Sequence, residues 1–125
     1  LHNANTFFDY GCGKGDDVRG LTAQGFVAAG WDPYFAAEQT ILDAEVVNLG
    51  FVINVIEDPV ERREALTRAF SLCGTVLAVS AMLAAEHQHF GTSYADGFLT
   101  GRGTFQKYFT QSELKAYLEE ALDAE

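Results

Sequence analysis

The stretch FFDYGCGKGDD, residues 7–17, sets Gly11, Gly13 and Gly15 on alternate positions directly behind a short apolar run. Glycine is favoured where the backbone must take positive φ, or where another group approaches it too closely for a Cβ. The stretch reads as strand, tight turn and helix. The turn is either structural punctuation or the floor of a small-molecule site.

Working outward, Asn5–Tyr10 is expected as a buried strand on its Thr-Phe-Phe run. Residues Asp16–Gln24 are expected as a helix with Val18 and Leu21 inward, stopped by Gly25. Phe26–Trp31 is a second strand ended by Asp32-Pro33, and Glu45–Phe51 (EVVNLGF) a third. Asp58-Pro59 supplies an N-cap and first-turn proline, with Glu61 placed as in a capping box, opening a helix whose buried face is Leu66, Ala69 and Phe70. Thr75–Ala81 is a fourth buried strand. Thr110 and Glu113 form a second capping-box pair, before Leu114, Tyr117, Leu118, Ala121 and Leu122 at helical spacing. Apolar strands alternating with amphipathic helices indicate an α/β fold: an open, mostly parallel sheet flanked by helices, with ligands beyond the carboxyl ends of the strands.

The 125 residues suit one domain spanning 1–125. Eight basic and eighteen acidic residues give a net charge of −10, which argues against binding of a phosphate backbone by this chain alone. Cys12 and Cys73 are too few for a disulfide framework and read as free thiols of a reducing compartment. No apolar run has membrane-span length and no signal-peptide pattern opens the chain, so a cytosolic protein is the expectation. Leu1 stands where an initiator Met would, and the chain stops inside a helical pattern; an excised or incomplete domain is expected.

A dinucleotide-binding turn would need glycine at the position of Asp16. Here the spacing is Gly-x-Gly-x-Gly, preceded by Asp9. Together with GWDP at residues 30–33, this resembles motif I and the acidic second-strand end of class I S-adenosylmethionine-dependent methyltransferases. The resemblance implies a Rossmann-like fold with S-adenosyl-L-methionine as cofactor. The glycine loop of Gly11, Cys12, Gly13 and Gly15 would bend around the methionine part, and Asp32, followed by Pro33, would accept from the ribose hydroxyls. Asp9 would lie near the cofactor's amino group, and Asn48, Leu49 and Gly50 would line the methyl-donor side. VVNLGFVINVIEDPVERREAL at 46–66 and YFTQSELKAYLEEAL at 108–122 are similar to later segments of the family. With LTGRGTFQKYFTQSEL at 99–114 they resemble, more narrowly, the methyltransferases associated with DNA phosphorothioation gene clusters.

One departure is built into the spacing. Only residues 34–44 separate Pro33 from Glu45, and eleven extended residues reach at most about 36–40 Å. The family's third strand is therefore expected to be absent, and with it the acid that holds the adenine amino group; Tyr34 and Phe35 are the candidates for apolar contact with adenine. The family's C-terminal hairpin is also expected to be missing. WDPYF at 31–35 superficially resembles the Asp-Pro-Pro-Tyr box of amino-methylating DNA enzymes, but lacks one proline and follows the wrong strand. His87 and His89 read as surface histidines rather than metal ligands. Residues 83–109 show no clear periodicity, and Tyr94, Phe98, Phe105 and Tyr108 are candidates for a lid. The expected activity is methyl transfer to an unidentified acceptor with no assigned base; the alternative is a non-catalytic module that senses the cofactor or mediates assembly in a longer protein.

Overall fold

In a computed structural model that describes residues 6–83, 92–100 and 102–122, the glycine turn joins β1 (Thr6–Tyr10) to α1 (Asp16–Ala23), which returns to β2 (Val27–Trp31). Gly25, at φ 93°, ends α1 by donating to the Thr22 carbonyl while Phe26 N–H reaches the Leu21 carbonyl. This is the double bond of a Schellman stop, which needs the left-handed residue that glycine supplies. Continuing along the chain come β3 (Ala44–Gly50), α2 (Pro59–Leu72), β4 (Cys73–Ser80), β5 (Thr92–Tyr94), β6 (Gly97–Leu99), β7 (Phe105–Gln106) and α3 (Gln111–Leu122).

The chain is α/β, with a four-stranded sheet in the order β2-β1-β3-β4. β1 runs parallel to both β2 and β3, with Phe8 opposite Val47 and Asp9 opposite Asn48. β4 runs the same way: the Thr75 hydroxyl donates to Glu45 where both strands begin, and Phe51 N–H reaches the Ser80 carbonyl where both end. No strand lies between Trp31 and Ala44; the described residues there make only an isolated bridge, Asp32 to Ala36. Phe8, Tyr10, Val47 and Leu49 bury one face of the two central strands. Each such apolar side chain contributes about 1.5–3 kcal/mol on burial.

The contacts fall into two compact units, Leu1–Gly50 with Arg68–Val79, and Phe51–Thr67 with Ser80–Glu125. The structure departs from the sequence expectation at β4 and α2. β4 is not a buried strand: Thr75 and Val76 are exposed because β4 is an edge of the sheet. Phe70 is exposed as well, and the buried side of α2 runs instead through Arg62, Leu66 and Ala69, at helical spacing. Asp58 does cap α2, but its carboxylate takes the Val60 N–H. The Thr110–Glu113 capping box is reciprocal, with each residue's N–H donating to the other's side chain at 2.8 and 3.1 Å. The span 83–109, left without elements by periodicity, holds an antiparallel sheet in the order β5-β6-β7.

That second unit is organised around a buried cation. Arg62, 3% exposed, makes a two-bond contact to Asp96 at 2.6 and 3.1 Å, donates to the carbonyls of Ile56 and Glu57, and lies over the Phe105 ring. The guanidinium holds the Asp96 carboxyl below its ordinary value. Asp96 sits in the two-residue turn between Tyr94 and Gly97, so the ion pair ties the β5–β6 hairpin to the start of α2. Removing Asp96 strands a buried charge, whereas removing Arg62 leaves a carboxylate with access to water. Asp96→Ala is predicted to destabilise the protein by about 2–3 kcal/mol, somewhat below the ~3–5 kcal/mol of a fully buried pair. Arg62→Met should cost less. Urea denaturation of both variants measures the order, and the reverse order contradicts this account of the unit.

Candidate functional site

The three glycines of the loop all adopt left-handed backbone: φ 91° at Gly11, 56° at Gly13 and 86° at Gly15. Two consecutive N–H groups, Gly11 and Cys12, converge on the Trp31 carbonyl at the end of β2, at 2.7 and 2.9 Å. A Cβ on Gly13 would meet nothing within 4 Å, so open space lies against the middle of the loop. Gly15 serves as the N-cap of α1 without a side-chain bond; its carbonyl accepts the Arg19 N–H.

Asp32 fixes this arrangement. It is 8% exposed, and its carboxylate receives three backbone donors: Gly13 N–H on Oδ2 at 2.8 Å, and Tyr34 and Phe35 N–H on Oδ1 at 2.8 and 3.1 Å. Pro33 has no N–H to offer, so the first donors available to the carboxylate beyond it are those of the next two residues. The side chain thus closes its own turn and holds the glycine loop from across the strand ends. Tyr34 and Phe35 project outward, 88% and 59% exposed, with the Lys14 ammonium 5.7 Å from the Phe35 ring centre.

Asp9 and Asn48 face each other across β1 and β3, with Asn48 Nδ2 donating to Asp9 Oδ1 at 3.1 Å. Burial pushes the Asp9 carboxyl above its ordinary value, against the lowering effect of that bond, and the charges of Asp17 and Asp32 push the same way as burial. Both residues line a groove of about 440 Å³ that runs beside α1, walled by Phe7, Val18, Leu21 and Val46. The groove and the glycine crevice are different places: Gly11, Gly13, Gly15 and Asp32 do not line it. Leu49 packs fully buried in the core and offers no side chain to either, while a Cβ on Gly50 would press on the Asn48 amide at 3.0 Å.

Cys12 fills space against β2, and burial raises its thiol above its ordinary value, opposite to what a nucleophile needs. Its neighbour Gly30 escaped the sequence reading. A Cβ there would lie 2.7 Å from Cys12 Cβ and 3.0 Å from Val18 Cγ2, so glycine lets the loop and α1 sit down on β2. The signal was GW before DP, legible only once the loop was known to cross it. Cys12 and Cys73 are free thiols. Among the described residues no group of three metal-ligating side chains occurs, and no helix is long and apolar enough to cross a membrane. His87 and His89 lie outside the described residues. No family model matches the chain, and no curated protein matches it.

Two outcomes are expected. Asp32→Asn removes the charge from three backbone hydrogen bonds and turns an N–H₂ toward one of the donors. Apo stability should fall by about 1.5–3 kcal/mol, the range for a hydrogen bond to a charged group; an unchanged apo melt would show that the clamp carries no weight. Asp9 has the opposite sign. Its folded-state pKa is raised, so the folded chain keeps a proton that the unfolded chain releases, and stability falls as pH climbs from about 4 through the folded value. Asp9→Asn abolishes that loss. It should stabilise the apo protein at neutral pH and lose this advantage near about pH 3, as read by urea denaturation at both; equal effects at the two would contradict the shift.

Proposed function

We propose that this chain binds S-adenosylmethionine in the glycine crevice and transfers its sulfonium methyl to an acceptor. The observation that carries the reading is the combination at one strand edge of three left-handed glycines, open space against Gly13, and a buried acid at the end of β2. The residues fit the cofactor. Glycine at 11, 13 and 15 lets a ligand approach the loop backbone closely. A carboxylate offers about four acceptor positions, and Asp32 Oδ2 receives a single N–H, which leaves it capacity for a ribose hydroxyl. Tyr34 and Phe35 present apolar surface beside the loop for a planar base.

When bound, S-adenosylmethionine supplies an electrophilic methyl on a good leaving group. An acceptor lone pair aligned with that methyl would displace it from the sulfonium sulfur, which would keep the carbon–sulfur electron pair. In such a displacement the chain's contribution is to align the reactants and exclude water, and well-oriented reactants can supply several kcal/mol of the barrier. Asp32 does so by holding the loop. No residue is assigned as a base.

A non-catalytic, cofactor-sensing role is the second reading. It is favoured by the fact that the polar side chains at this edge, Asp9, Asp32 and Asn48, are all engaged in bonds within the chain. Calorimetric titration with S-adenosylhomocysteine, paired with a melt, tests binding. Ligand at a hundred times its Kd should add about 2.7 kcal/mol of stability. No heat and no shift at roughly millimolar ligand would overturn both readings, and binding without transfer of labelled methyl groups would select the second.

A further inference from the structure

The two faces of the central strands are covered unequally. Phe8, Val47 and Leu49 are buried on one face, while Phe7, Val46 and Asn48 on the other remain part-exposed. Strands of a parallel sheet ordinarily lie covered on both faces. On this second face α1 is eight residues long and none of them is buried, Val18 and Leu21 included. Between helix and sheet lies the groove of about 440 Å³, within the size range of small-molecule sites. All of its lining residues belong to the first unit. Asp9, Asp16 and Asp17 line it, and no Lys or Arg does. Asp16 pairs with Arg19, whereas Asp9 and Asp17 have no cationic partner among the described residues.

Asp9 decides what could fill this space. It is 9% exposed; its Oδ1 receives the Asn48 amide at 3.1 Å, and its Oδ2 accepts no hydrogen bond among the described residues. A buried carboxylate oxygen without a donor is costly, and burial already pushes this carboxyl above its ordinary value. An apolar side chain laid over the groove would deepen that cost, whereas a cation reaching Asp9 would offset it. Oδ2 calls for a donor as well as a charge, so the cation is a protonated amine rather than a quaternary ammonium. We propose that the groove beside α1 is a second ligand site, which takes a small primary amine with its ammonium on Asp9 and its apolar body against Val18, Leu21 and Val46. The site is separate from the crevice, since the loop glycines and Asp32 do not line it, and the inference does not depend on the methyl-transfer reading.

The test uses 4-phenylbutylamine as the probe, with 4-phenylbutan-1-ol as its neutral and 4-phenylbutanoate as its anionic counterpart. Each is titrated into the full chain and followed by amide chemical shifts. The amine should bind with shifts at Val18, Leu21, Val46 and Asn48. The alcohol should bind roughly tenfold more weakly, for want of the charge, and the acid more weakly still. Asp9→Asn keeps the shape of the residue and removes its charge. It should weaken the amine about ten- to hundredfold, the range for hydrogen bonds to charged groups, and leave the alcohol within about twofold of wild type. Saturating S-adenosylhomocysteine should not displace the amine. The comparison of the three probes on wild type stands whether or not the variant folds, and the amide spectrum of Asp9→Asn shows directly that it does. The inference is overturned if the amine does not bind, if its shifts fall outside the groove, or if the alcohol or the acid binds equally well. Unchanged amine binding by Asp9→Asn, or displacement of the amine by S-adenosylhomocysteine, overturns it too.

Discussion

A single carboxylate sets the geometry of the strand edge. Asp32 accepts one N–H from the glycine loop and two from its own following turn, and the rest of the edge follows from those bonds. Buried, charged acceptors make hydrogen bonds about twice as strong as neutral ones, so the three left-handed glycines are held in one arrangement rather than left to the freedom that glycine brings. The loop in turn needs a bare backbone beneath it, which Gly30 supplies. The turn at 34–35 starts the short route to β3, which has no room for another strand. Loop, β2 end and connection are one mechanical unit, and the candidate crevice is its outer surface.

The second unit reaches order by different means. Its strands are two or three residues long, too short to rely on a ladder of backbone bonds. A buried guanidinium does the joining instead, drawing the hairpin turn and the carbonyls ahead of α2 onto one side chain. The Asn54–Gln106 amide pair adds a second polar tie. Both ties hold the backbone of a loop that buries Ile53 with Asn54 and leaves Phe51 and Val55 exposed.

Much of the first unit, and the start of α3 in the second, was legible in the sequence because the signals there are local. The alternate glycines, the Gly25 stop and the Thr110–Glu113 box each specify backbone within a few residues, and the structure has all three. Strand positions were legible too, but not their exposure: Thr75 and Val76 read as core until the strand order made β4 an edge. Phe70 failed for a related reason, since the burial of Arg62 turned the α2 stripe away from it. The Arg62–Asp96 pair spans 34 residues and the Asp32–Gly13 bond 19, separations at which periodicity carries no signal. Asp32 was recognisable as an acid ending a strand; that its oxygens were already committed to backbone was not.

The central proposal is that S-adenosylmethionine binds in the glycine crevice rather than in the groove beside α1. Amide hydrogen exchange measured residue by residue, with and without S-adenosylhomocysteine, tests it directly. The account predicts slower exchange at residues 11–15 and at Asp32, Tyr34 and Phe35, with little change at Val18, Leu21 and Val46. Slowing confined to those groove residues, or none anywhere once binding has been shown, would contradict it.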